Sequence, residues 1–386
     1  MAAAVGSSVL DVYNPIFYAQ EALVWLQNTL GIANTVHRGF EAERSRGLGD
    51  TISIRRPGTF AVGDAPDTAV GLDTESVDIT LNQWKEVKFA LTDKELAYTG
   101  ERIIQEHIGP AAYALANNID AALWALYADV GARTAWGTAS AATELAAVRK
   151  KMFDNQVPMN MGNLYFGMGS TMESELLADA IFTQHQGAGE LGVQTAISGR
   201  MGTKFGMELY AAQNCPSHTS GTATDLAGEI DNAGGYAKGA TSIVVDGLTN
   251  AQTFTAGDTL TIQGDTTAYS ITANATVAGG EATFSISPPL QVAAADDADV
   301  TLVSDDETEV GLAYHRNAFA LAMAPLPEIG NELGARVAVV QDPQTGLALR
   351  SRLYYVGNSS QVHVALDCLY GVKTLDARLA VRVENP

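Results

Sequence analysis

The sequence predicts an α+β chain whose compact body carries a small all-β domain inserted into one of its loops. Three observations predict it. From Thr92 to about residue 130, apolar residues recur at helical spacing. Between residues 225 and 308 the composition shifts: thirteen Asp and Glu stand against Lys238 alone, and short alternating runs follow one another at roughly 8–12-residue spacing. Residues 309–386 become strand-rich, with ARVAVVQ, LALRSRLYYV, QVHVALDCL and ARLAVRV.

Taken in order, residues 1–36 hold one amphipathic stretch, NPIFYAQEALVWLQNTL, which reads as a short helix on an N-terminal arm. Pro15 suits its first turn, and Ile16, Phe17, Ala19, Leu23, Leu26 and Leu30 recur at roughly helical spacing. Residues 37–91 contain the most basic stretch, with His37, Arg38, Arg44, Arg46, Arg55 and Arg56. Two strand-like runs, DTISIRR and ESVDITLNQWKEVKFAL, flank a Gly/Pro/Asp-rich segment. They predict an extended β-arm with a long tip. Such an arm has few apolar residues to bury on itself and needs something else to lie against.

Thr92-Asp93-Lys94-Glu95 is a capping box, with a hydroxyl at the N-cap and a carboxylate three residues on. The stripe Ile104, Ile108, Ala111, Leu115, Ile119, Leu123 and Leu126 follows, making residues 92–131 the longest predicted helix. Gly109-Pro110 should kink or split it. Residues 132–224 predict a compact α/β unit: helix 141–155, strand NLYFGMG, helix 170–184 capped by Ser170 or Thr171, then a Gly-rich loop. The insert 225–308 offers TSIVVDG, DTLTIQGD, AYSITAN, ATFSISP and DVTLVSDD as strands of a small barrel or sandwich. In 309–386, Asp342-Pro343-Gln344-Thr345-Gly346 is a turn between the first two strands.

Bulk properties exclude several function classes. The 386 residues suffice for two or more cores, and 46% hydrophobic with 17% charged residues is the balance of a folded globular chain. A formal charge of −21 argues against a protein that grips DNA by neutralising phosphates. Cys215 and Cys368 are far apart and share no CxxC spacing, which suits two reduced thiols. The start, MAAAVGSSVL, lacks the basic region of a signal peptide, and no apolar run reaches the ~18 residues of a membrane span. A cytoplasmic site of synthesis and no membrane partner are therefore expected.

Chemistry-bearing motifs are scarce, and no catalytic residue, metal site or cofactor is expected. Gly187-Ala188-Gly189-Glu190-Leu191-Gly192 is a literal GxGxxG with Glu208 beyond it, but a helix precedes it where a dinucleotide fold needs a strand. His37, His107, His185, His218, His315 and His363 show no metal-ligand spacing, and His107 reads as a packed core histidine. Gly167-Met168-Gly169-Ser170 misplaces the serine of a nucleophile elbow. Asp296-Asp297-Ala298-Asp299 and Asp305-Asp306-Glu307 lack the spacing of a calcium loop and read as a solvated acidic face. In so acidic a chain, Arg38, Arg44, Arg46, Arg55 and Arg56 are candidate intersubunit contacts, pairing with acids of a neighbouring copy.

The order of these parts resembles the Hong Kong 97-type (HK97-like) capsid fold of tailed-bacteriophage coat proteins. The junction EVKFALTDKEL resembles that family's approach to its spine helix. GRMGTKFGMELYAAQNCPSHTSG resembles its axial-domain loop and strand, and VALDCLYGVKTLDARLAVRV its C-terminal strands. The resemblance implies an N-terminal arm at 1–36, an extended β-loop at 37–91, a spine helix at 92–131, an axial domain at 132–224 and axial or peripheral strands at 309–386. The acidic insert resembles the inserted β domain of short-tailed Salmonella-phage coat proteins. As the family does, such a chain would assemble with itself into pentamers and hexamers of an icosahedral shell. Scaffolding and portal proteins would be its partners, and packaged DNA would be only a non-specific neighbour. It would reside in the virion after assembly in the host cytoplasm. Some relatives cross-link through lysine and asparagine; Lys85 and Lys88 fall on the predicted arm, but nothing marks either as reactive. A tail-tube or decoration protein is the alternative reading.

Overall fold

The computed structural model describes residues 15–38, 51–55, 76–92, 107–159, 162–183, 195–329, 335–342 and 346–385. The chain divides into two compact units. The first comprises residues 1–34, 38–120 and 320–373; the second comprises 35–37, 121–319 and 374–386.

The first unit is built on an antiparallel five-stranded sheet. Its path is β17 (Phe319–Ala324), β20 (Gln361–Thr374), β19 (Ala348–Val356) and β18 (Ala335–Gln341), with β3 (Gln83–Thr92) also paired to β20. Helix α1 (Pro15–Thr29) lies on β18 and β19. Tyr18, Ala19, Ala22, Leu23 and Leu26 form its buried stripe, as the three-and-four spacing of the sequence requires. Its end is held from α2 (Gly109–Trp124): buried Asp120 accepts the N–H of Gly31 at 2.6 Å and of Ala33 at 3.2 Å. Burial raises the Asp120 carboxyl above its usual range, opposed by those two N–H groups.

The predicted arm departs from expectation in its second strand. β1 (Thr51–Arg55) pairs with β2 (Ser76–Thr80) as a separate two-stranded sheet, in register Ile52↔Ile79 and Ile54↔Val77. The run ESVDITLNQWKEVKFAL is not one strand. It breaks at Leu81-Asn82, where Asn82 N–H bonds Thr80 O, and β3 then joins the main sheet. Lys85 and Lys88 therefore sit on β3 opposite Cys368 and Ala365, not on the arm. The base of the pair is fastened to its own chain: Ile52, Ile54 and Ile79 are buried, and Thr80 O lies 2.3 Å from where a Cβ on Gly371 would stand.

Of the long predicted helix, α2 carries Ala111, Leu115, Ile119 and Leu123 on its buried stripe, a turn of 3₁₀-helix continues to Asp129, and a π-helical turn at His107–Ile108 precedes it. Pro110 thus falls in the first α-helical turn, where its missing N–H removes no bond. The capping box beyond Thr92 and Ile104 lie outside the described residues. His107 is not a core histidine. It is exposed, its ring 5.5 Å from that of Phe89.

The second unit contains a mixed six-stranded sheet in the order β4 (Arg133–Ala135), β21 (Ala380–Asn385), β16 (Glu309–His315), β5 (Leu164–Met168), β7 (Met207–Ala211) and β6 (Thr203–Lys204). Helices α3 (Ala141–Asp154) and α4 (Ser170–Ala178) cover it, with Leu145, Val148, Met152, Phe166, Met172 and Leu176 in the core. The predicted helix 170–184 breaks at Asp179, and α5 (Ala180–Thr183) follows. Neither Ser170 nor Thr171 caps α4; its N-cap is Gly169, without a side-chain bond.

Between β7 and β16 the chain leaves this sheet to close a barrel of β11 (Thr259–Ile262), β12 (Ala268–Ile271), β14 (Ala282–Ser287), β9 (Ser242–Asp246), β8 (Ala227–Ile230) and β15 (Asp299–Val303). A small pair, β10 (Thr253–Phe254) and β13 (Ala275–Thr276), flanks it. Ile243, Val245, Leu260, Ile271, Phe284 and Leu302 point inward, so the alternation in the sequence is one face turned to a private core.

Candidate functional site

Of the five candidate contact arginines, the structure places two. Arg38 is half-buried, and Arg55 ends β1 opposite Ser76. Arg44, Arg46 and Arg56 lie outside the described residues, as does the GxGxxG at 187–192. The residues just before that motif, Ala180–Thr183, are helical, the wrong lead-in for a dinucleotide loop.

The first unit has a charged network that sequence spacing did not single out. Asp367 on β20 is fully buried, and Arg350 on β19 meets it through two bonds of 2.6 and 3.0 Å. Arg352 joins Asp367 at 3.2 Å and Glu86 of β3 at 3.0 Å, while Trp84 donates its indole N–H to Asp367 at 3.1 Å. One acceptor thus fixes three strands in register, the best-attested use of a buried ion pair. The only trace in the sequence is Arg350 and Arg352 two apart in an apolar run. Trp84 itself is 60% exposed, on a strand with no described partner on its outer side.

In the second unit, Tyr127 Oη lies 3.1 Å from His218 Nδ1, His218 Nε2 3.0 Å from Asp258 Oδ1, and Ser304 donates to Asp258 Oδ2 at 2.8 Å. These are the residue types of a hydrolytic triad in the wrong order. Asp258 stands between serine and histidine, so no base reaches the hydroxyl, and all three are buried. The thiols are equally unsuited. Burial, then Glu309, pushes Cys215 up to about 12, and burial, then Asp367, does the same for Cys368. Among the described residues no group of three or more His, Cys, Asp or Glu is arranged to hold a metal ion.

The barrel surface carries a row of carboxylates. Asp299 of β15 is paired with Glu229 of β8, and Glu229 with Asp246 of β9. Glu229 and Asp299 are exposed and Asp246 half-buried. Like charges directly opposite across strands repel. Sequence alone showed the acid count, while the register that lines them up needed the closed barrel.

A family model described as phage capsid protein matches residues 74–244. A chain solved from Mycobacterium phage Che8 is 15% identical, with 92% of this chain and 90% of that one covered at a TM-score of 0.51. A chain from the capsid structure of cyanophage P-SCSP1u is 11% identical, covering 88% and 84% at 0.43, and one from the capsid of an empty GTA particle is 11% identical, covering 100% and 92% at 0.44. Comparison with curated protein sequences gives no match. The family match over residues 74–244 and the fold shared with the Che8 phage chain show that this chain is similar to phage capsid proteins, on an HK97-like fold that here carries an inserted β domain.

Proposed function

We propose that copies of this chain, and no enzymatic step, build the icosahedral shell that encloses the double-stranded DNA of the phage. The subunits associate as pentamers and hexamers through the β1–β2 pair of the first unit. The observation that carries this reading is the β1–β2 pair. Among the described residues it belongs to no larger sheet, it meets its own chain beneath Thr80 at Gly371, and the sequence places 20 residues, 56–75, between its two strands. An isolated two-stranded ribbon is marginal in water and gains by lying on another surface. Head-to-tail contacts of this kind close into rings.

Scaffolding and portal proteins enter as assembly partners, and the host cytoplasm as the place of assembly, on the strength of the family resemblance. DNA is a neighbour without a grip: the chain carries −21 overall, and the barrel region supplies thirteen acids against one lysine. Arg38, Arg44, Arg46, Arg55 and Arg56 serve as contacts to acids on the adjoining copy. Electron microscopy of the purified chain tests the reading. Polyhedral shells or rings of five and six are expected; tubes, or monomers that persist at high concentration, would overturn it.

A further inference from the structure

The barrel is joined to the mixed sheet by a neck of two chain segments. The incoming segment, residues 212–222, and the outgoing segment, 304–310, bond through His218 N–H to Glu307 O and Glu307 N–H to His218 O, both 2.9 Å, and Val310 N–H to Pro216 O at 2.9 Å. Ser220 donates to Asp306 from both N–H and hydroxyl. Within this neck Glu307 is 6% exposed, and its buried Oε2 has no hydrogen-bond partner among the described residues. We propose that Glu307 is a proton-operated latch of the neck: protonated, it lets the neck and the sheet beneath it pack together, and on losing the proton it loosens them.

The surrounding charges supply the mechanism. From β21 come Glu384 and Arg382, which pair with each other, and from β4 comes Arg133, 3.2 Å from Glu384 and 3.7 Å from Asp305. The His218 side chain is bound to Asp258 and Tyr127, and Arg382 lies over the Tyr127 ring. Glu309, two residues on, turns its carboxylate to the start of α4. The two guanidiniums already face Glu384 and Asp305. A third ionised carboxylate at Glu307 leaves one negative charge in excess in a place with little water. Burial first, and then Glu384, push Glu307 up to about 7 from an ordinary 4.5, against the pull of Arg133 and Arg382.

The sign follows from linkage. A carboxyl that holds its proton more tightly when the neck is closed favours closure below about pH 4.5, and this advantage is lost as pH rises through 7. Amide hydrogen exchange on the full-length soluble subunit, corrected for intrinsic rates, reads the effect from pH 5 to 8. Peptides within 214–222 and 304–310 should open more with rising pH, approaching about tenfold per unit, and level off above 7. Barrel-core peptides spanning β9 and β14 should not follow. Glu307→Gln should abolish the dependence, and Glu384→Gln should move the plateau to lower pH. The same pH profile in the parent and in Glu307→Gln would overturn the proposal. If Glu307→Gln does not fold, the Glu384→Gln profile decides, and an unmoved plateau is fatal.

Discussion

The carboxylate of Glu309, at the start of β16, accepts the backbone N–H of Thr171 at 2.9 Å, so α4 is capped by a residue 138 positions further along the chain. A second bond, from Met172 N–H at 3.3 Å, completes the cap. Gly169 makes room for it, since a Cβ there would lie 2.5 Å from Glu309 Cδ. Glu309→Ala should therefore destabilise the subunit by about 1–2 kcal/mol, the range of a lost N-cap. Ser170→Ala, at the exposed position where sequence reasoning put the cap, should stay within about 0.5 kcal/mol. Urea midpoints of the soluble subunit check both; equal losses would contradict the assignment.

The carboxylate row Asp299–Glu229–Asp246 predicts a stabilising substitution. Glu229→Thr removes the central charge and places a β-branched residue on a strand. A gain of about 0.5–1 kcal/mol is expected at low ionic strength. The gain should shrink as salt screens the parent's repulsion. Thermal unfolding across a salt series measures it, and an unchanged midpoint at low salt would mean that the row is already neutralised.

Arg55 and Arg56 test the reaching arm. Arg55→Ala/Arg56→Ala should leave the subunit folded and lower assembly yield at low salt, by about 0.2–1 kcal/mol per exposed contact. The parent should lose that advantage as ionic strength rises. Light scattering during assembly, with circular dichroism as the folding control, gives the comparison; identical yields and salt dependence would reduce these arginines to solvated surface.

His315 predicts a loss of stability in acid. Its Nδ1 accepts the N–H of Asn317 at 3.2 Å, which requires a neutral ring, and burial holds its pKa below the usual 6.5. The unfolded chain therefore takes up this proton more readily. Stability falls as pH drops below 6.5 toward the lower folded value. His315→Asn keeps a capping acceptor without a titrating ring, so its midpoint should fall less between pH 6.5 and 5. Parallel curves for parent and variant would show that the ring does not titrate.

The glycine beneath the arm gives a steric test. Gly371→Ala would drive a Cβ onto Thr80 O, which lies 2.3 Å away, and must displace β2. Assembly should fail with the sheet still formed, as read by electron microscopy beside circular dichroism; normal shells would mean that β2 yields without effect on contacts.

How much of this was legible in the sequence depends on whether burial left a period. The α1 stripe, α3, and the barrel strands β9, β11, β12, β14 and β15 each turn one face to a core, so their apolar residues recur at helical or alternate spacing. The thirteen acids of the insert were likewise plain from composition. β16 and β17 were not. All seven residues of Glu309–His315 and all six of Phe319–Ala324 are buried, and a strand covered on both faces has no alternation to read. The break at Leu81-Asn82, the capping of α4 by Glu309, the meeting of Glu86, Arg350, Arg352 and Asp367, and the pairing of His218 with Glu307 belonged to the tertiary structure alone. Local sequence records what each residue does with its own neighbours along the chain. Partners tens to hundreds of positions apart leave no spacing behind, and only closure of the sheets and the barrel brings them within bonding distance.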